Sequence, residues 1–97
     1  MPKGFYVHLE TPRGLERWHV TYKRLGNKYG QTDWAKHKIE IDPSQTTKEH
    51  VDTLAHEVIH VTTDLGHEDK VEEVIRRVAA GITETLFKAK LIVPEEE

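Results

Sequence analysis

The chain has 97 residues, no cysteine, seven histidines and a formal net charge of -3. Disulfides and thiolate metal sites are therefore excluded, so a transition-metal site would have to draw on His, Asp or Glu. The charge balance lacks the basic surplus of a general nucleic-acid binder, and no nucleic-acid partner is expected.

A chain of this length makes one small domain with a limited core, for which a bound metal would add stability. The expected organisation is a single domain over residues 1–93 and an acidic tail, Pro94 to Glu97. No segment is long and apolar enough to span a membrane. The opening MPKGFYVHLE lacks the apolar run of a signal peptide, so the expected compartment is the cytoplasm.

Phe5, Val7 and Leu9 alternate with Tyr6, His8 and Glu10, which predicts a half-buried strand. Thr11-Pro12-Arg13-Gly14 suits a reverse turn. Trp18, Val20 and Tyr22 then alternate with His19, Thr21 and Lys23, which predicts the partner strand of a hairpin. Leu15, Trp18, Tyr22 and Leu25 also fit helical spacing. Leu25 to Gly30 reads as a loop, and Ile39 and Ile41 mark a third strand stopped by Pro43. His8, His19 and His37 are expected to face solvent from strands, with Trp18 and Trp34 packing in the core or a cleft wall.

In the second half the apolar period changes from two to that of a helix. Thr46 and Glu49 form a capping box. Val51, Leu54, Ala55, Val58, Ile59 and Thr62 follow at helical spacing, and Gly66 offers a left-handed exit near Leu65-Gly66. His50 on this helix is expected to be exposed. A second helix is predicted to about Ala89, with Val71, Val74, Ile75, Val78, Ile82 and Leu86 as its apolar stripe. The fold class is α+β: a small, mostly antiparallel three-stranded sheet followed by two packed helices.

The chemistry concentrates in "HEVIH", His56 to His60, which is H-E-x-x-H. On a helix, residues four apart share a face, so His56 and His60 can offer imidazole nitrogens to one ion while Glu57 lies alongside. Two His ligands and a carboxylate that takes a proton from water form the zinc-hydrolase arrangement. Zinc lowers the pKa of a bound water to about 7. Around a helix, Val51, Leu54, Ala55, Val58 and Thr62 cluster on one side and the two histidines fall opposite. The plainest competing interpretation is that this opposite side is simply wet. No Gly-rich phosphate loop is present, and no Ser or Cys stands in a nucleophile motif. Tyr29 and His37 are candidate hydrogen-bond donors to an oxyanion.

TLAHEVIHVT resembles the extended signature of the zincin metallopeptidases, departing from it at Thr62, where a more hydrophobic residue is usual. The wider layout from Gly30 to about residue 90 is similar to small phage and bacterial zincin-like metallopeptidases, akin to the SprT-like and ImmA/IrrE groups. This resemblance implies a minimal zincin fold, Zn2+ on His56 and His60, Glu57 as general base, and a protein or peptide substrate. It also implies that the strand before the active-site helix, here Lys38 to Ile41, lines the cleft and pairs with extended substrate. A second resemblance, carried by His56, His60 and His67, is to bacterial rRNA-maturation endoribonucleases with a three-His zinc site. Here one extra residue precedes the third His, and Glu57 stands where that family has Gly.

A third ligand is needed. If the helices form an antiparallel hairpin closing between Asp64 and His67, the level of His56 and His60 is met near residue 73. Glu72 lies there on the flank beside Ile75 and Ala79 and is the expected ligand. His67 at the connection, Glu68 one turn too early and Glu73 pointing away are the alternatives. The sequence thus predicts a zinc-dependent metallopeptidase. A three-His endoribonuclease and a non-catalytic, metal-stabilised binding module are the rival readings.

Overall fold

The computed structural model describes residues 3–92; the expected tail, Pro94 to Glu97, lies outside them. Six elements follow in order: β1 (Phe5–Thr11), β2 (Gly14–Tyr22), β3 (Gly30–Asp33), β4 (Lys38–Ile41), α1 (Thr47–Thr63) and α2 (Asp69–Lys88). The α+β class holds, but the sheet has four strands in the order β1-β2-β4-β3, and it is mixed.

β1 and β2 form the predicted antiparallel hairpin, closing at the pair Thr11 and Gly14. Gly14 has φ of 113°, a conformation open to glycine. The helical alternative for Leu15 to Leu25 is not taken, because alternate burial of Trp18 and Val20 follows the two-residue period. The chain then passes to the far edge, makes β3 and turns back into β4. β4 pairs antiparallel with β3 and parallel with β2. The third expected strand is therefore an interior strand, not the next step of an antiparallel meander. β3 had no apolar alternation to announce it, since Gly-Gln-Thr-Asp has no side chain to bury in a core.

Trp18 and Val20 of β2, Ile39 and Ile41 of β4 and Val61 of α1 form the buried core. The Trp18 indole N–H donates to Glu16 Oε1 at 3.1 Å, so burying the ring strands no donor. β4 leads into Asp42, whose carboxylate accepts from the Ser44 hydroxyl, the Ser44 amide and the Leu25 amide. Those bonds, the Ser44 hydroxyl foremost, hold its pKa down at about 2.

α1 begins at the predicted box: Thr46 Oγ1 accepts from the Glu49 amide, and Glu49 accepts from the Thr46 amide. It ends earlier than expected. Asp64, not Gly66, takes the left-handed cap position, with φ of 52°. Asp tolerates this conformation better than most residues, and Arg13 at the hairpin tip binds its carboxylate at 2.9 Å. Gly66 (φ 86°) bends the connection instead.

α1 packs on the sheet; among the described residues α2 packs on α1 and on no strand. Its buried line is Ile75, Ala79 and Thr83. Of the predicted stripe, Val74, Val78 and Ile82 remain exposed. One helix covers only a narrow strip of another, and small residues such as Ala79 allow close approach.

Candidate metal centre

α1 is covered on both sides, by the sheet and by α2. The face carrying His56 and His60 is therefore not wet: His60 is 2% exposed and His56 partly buried. Four-residue spacing brings the rings together, with Nε2 atoms 3.2 Å apart. The antiparallel α2 lays Glu72 across them. Its Oε1 is 2.7 Å from His60 Nε2, and its Oε2 is 3.3 Å from His56 Nε2. One ligand atom from each of the three residues lies within 4.8 Å of the others, so the group could hold a metal ion.

Two imidazoles and a carboxylate form a donor set that divalent transition metals, zinc among them, accept. Ligands at about 2.0–2.1 Å in a tetrahedron stand about 3.3–3.4 Å apart. The two contacts made by His56, at 3.2 and 3.3 Å, are close to that length, while His60 Nε2 and Glu72 Oε1 stand closer, at 2.7 Å. The protonation states fit as well. Burial, the largest influence on His60, lowers its pKa, favouring the neutral imidazole that ligates. Burial works against the Glu72 carboxylate, but the His67 hydrogen bond and the facing imidazoles outweigh it, and its pKa is lowered.

Glu57 shares the cleft. Thr32 Oγ1 donates to its Oε1 at 2.8 Å. Two residues earlier, a Cβ on Gly30 would stand 2.7 Å from Thr53 Cγ2 and 3.3 Å from Glu57 Cγ. The absent side chain lets β3 cross close to α1 and puts the Thr32 hydroxyl in reach. Gly30, Thr32 and Trp34 form one wall of a cleft of about 330 Å3, and Glu57, His60 and Glu72 lie on the other.

The four principal site residues named from the sequence thus converge. The alternatives fare differently. Glu68 is the exposed N-cap of α2 and Glu73 is exposed on it; neither belongs to the group. His67 reaches Glu72 from the solvent side, with Nδ1 3.0 Å from its Oε1, yet it too lies outside the group.

Several bland assignments need correction. His37 sits in the turn before β4, not on a strand, and stacks on Trp18 at 4.6 Å. His19 stacks on Tyr6, and His50 is partly buried, edge-on to Tyr22. Neither Tyr29 nor His37 lines the cleft, so neither is placed to meet an oxyanion there. Lys38 to Ile41 cannot pair with substrate, because both of its edges are hydrogen-bonded within the sheet. Sequence reasoning missed Gly30 and Thr32. The only local signal was a glycine two residues before a hydroxyl, which is too common to single out.

Among the described residues no helix is long and apolar enough to cross a membrane. Comparison with protein-family models, curated proteins and solved structures finds no match.

Proposed function

We propose that this chain is a zinc metallopeptidase, with His56, His60 and Glu72 as the metal ligands and Glu57 as the general base. The observation that carries this reading is the shared cleft. A three-residue ligand group and a carboxylate braced by Thr32 face the same space. When bound, zinc supplies a Lewis acid for a carbonyl and a water with a pKa of about 7. Glu57 takes the proton from the attacking water and delivers it to the leaving nitrogen. Thr32 holds one carboxylate oxygen and thereby fixes the plane in which the other can work. His60 is 2% exposed while the Glu72 side chain stays partly open, so their contact is only partly screened by water.

The edge of the sheet supplies a place for an extended peptide. The Asp42 amide donates to the Tyr29 carbonyl at 2.9 Å, so these two residues form a hydrogen-bonded pair. Antiparallel alternation then directs Gln31 toward β4 and turns the backbone N–H and C=O of Gly30 and Thr32 to the free edge. A peptide added there as a fifth strand would run past Glu57. The role given to Lys38 to Ile41 by family resemblance passes to β3.

Glu72 rather than His67 in the ligand group weighs against the three-His nuclease. The test is Glu57→Gln. It should bind zinc like the parent and lose hydrolysis of denatured protein substrates. Retained hydrolysis would refute the assigned base. Structured RNA assayed in parallel addresses the rival: cleavage of RNA and not protein would transfer the site to a nuclease.

A further inference from the structure

His67 has no part in the metallopeptidase assignment above, yet it lies against two of its ligands. The connection between the helices carries two left-handed residues, Asp64 and Gly66, with φ of 52° and 86°. They fold the chain back so that His67 returns over the end of α1. Its ring stacks on that of His60 with centroids 4.4 Å apart and planes 26° from parallel. Its Nδ1 reaches Glu72 Oε1 at 3.0 Å. The side chain is otherwise open to solvent, at 70% exposure, so burial does not explain where it sits.

Of the three imidazoles near Glu72, two point nitrogens into the ligand group and the third does not. An ion arriving between His56, His60 and Glu72 would replace the contacts those three make with one another. The contact from His67 would survive, because its Nδ1 is not a ligand atom. A carboxylate ligand with one oxygen held by an outside N–H has fewer orientations to lose when the ion binds.

We propose that His67 is a positioning residue for the metal centre: its Nδ1–H donates to Glu72 Oε1 and presets the carboxylate for the ion. This rests on the zinc-site reading. It differs from the three-His arrangement, in which His67 would bind the metal itself.

The experiment compares zinc affinity, by competition with a chromophoric chelator, in the parent and in His67→Ala, His67→Asn and His67→Phe. Asn places an amide N–H near the position of Nδ1 but has no ring; Phe keeps the ring and has no N–H. Melting of the zinc-free proteins checks that all four are folded alike. His67→Ala should bind zinc about 10–100-fold more weakly, the range for loss of an outer hydrogen-bond partner. His67→Asn should restore most of that loss and His67→Phe should not. The visible spectrum of the Co2+ form at saturation should be the same in the parent and His67→Ala.

Unchanged affinity in His67→Ala would overturn the proposal. So would rescue by Phe and not Asn, which would assign the effect to stacking on His60. A Co2+ spectrum altered by His67→Ala, with zinc lost as completely as in His60→Ala, would make His67 a ligand instead. If the parent itself takes up no zinc, the metallopeptidase reading fails first, and this proposal with it.

Discussion

α1 has two neighbours, and the layers it makes with them are built differently. Against the sheet it closes a core of Trp18, Val20, Ile39, Ile41 and Val61, each at most 1% exposed. Against α2 the buried residues are Ile75, Ala79 and Thr83, and the neighbouring polar atoms are His60 and Glu72. The first layer rests on apolar burial, at roughly 25 cal/mol per Å2 of apolar surface removed from water. The second buries no Trp, Tyr or Phe ring on α2, only Ile75, Ala79 and Thr83, and it contains the ligand group. The lesson is that one helix can belong to an apolar core on one side and, on the other, to a joint whose polar group could hold a metal ion.

The largest expected effect tests the first layer. Trp18→Ala removes the largest fully buried side chain and should cost about 3–5 kcal/mol. Denaturant titration should show the same loss with and without zinc. A loss seen only with zinc would mean that the layers are not separable.

Next is Glu72→Ala, which acts on the second layer. At zinc 100 times its Kd, a site that exists only in the folded state adds about 2.7 kcal/mol. The variant should forfeit that increment and melt like the parent when zinc is removed. Destabilisation of the metal-free protein would show that Glu72 chiefly supports packing.

Thr46→Ala removes the α1 cap, which lies at the other end of the helix from His60 and serves both layers. It should cost about 1 kcal/mol, or about 4–8 °C in Tm for a domain this small. Zinc affinity should stay at the parental value, and a change would show that the two ends of α1 are coupled.

The smallest effect concerns acid. Asp42 is held at a pKa of about 2 against an ordinary 3.8. A carboxylate lowered in the folded state stabilises it above the unfolded pKa, and that contribution is lost as pH falls through the folded one. Parental Tm should therefore decline between about pH 4 and pH 2. Asp42→Asn should start lower at neutral pH and decline less over that window. Equal slopes would remove Asp42 from the account of acid stability.

What was legible in the sequence divides along the same line. The hairpin, the capping box and the two helices carry strong local periods or caps and are found there, except that α1 is capped at Asp64 before the glycine signal at Gly66. The His56 and His60 pair follows from helix geometry alone, and Glu72 from the level at which an antiparallel second helix must pass. The parallel pairing of β2 and β4 is non-local and leaves no trace in either strand. β3 is short and polar at a sheet edge, so it lacks the alternation that marks a half-buried strand. The apolar stripe of α2 overstates its burial, because hydrophobicity does not say which residues a single neighbouring helix can reach. Val74, Val78 and Ile82 remain exposed for that reason. His67 illustrates the same limit: spacing places it at the connection, and only the backbone bend at Asp64 and Gly66 turns it onto Glu72.

The central claim is that His56, His60 and Glu72 hold one zinc ion between the two helices. Its most direct test is elemental analysis of protein purified without added metal, combined with melting before and after zinc addition. The account predicts one zinc per chain, or its uptake on addition, and a higher Tm in zinc that Glu72→Ala abolishes. A metal-free protein whose Tm does not respond to zinc would contradict it.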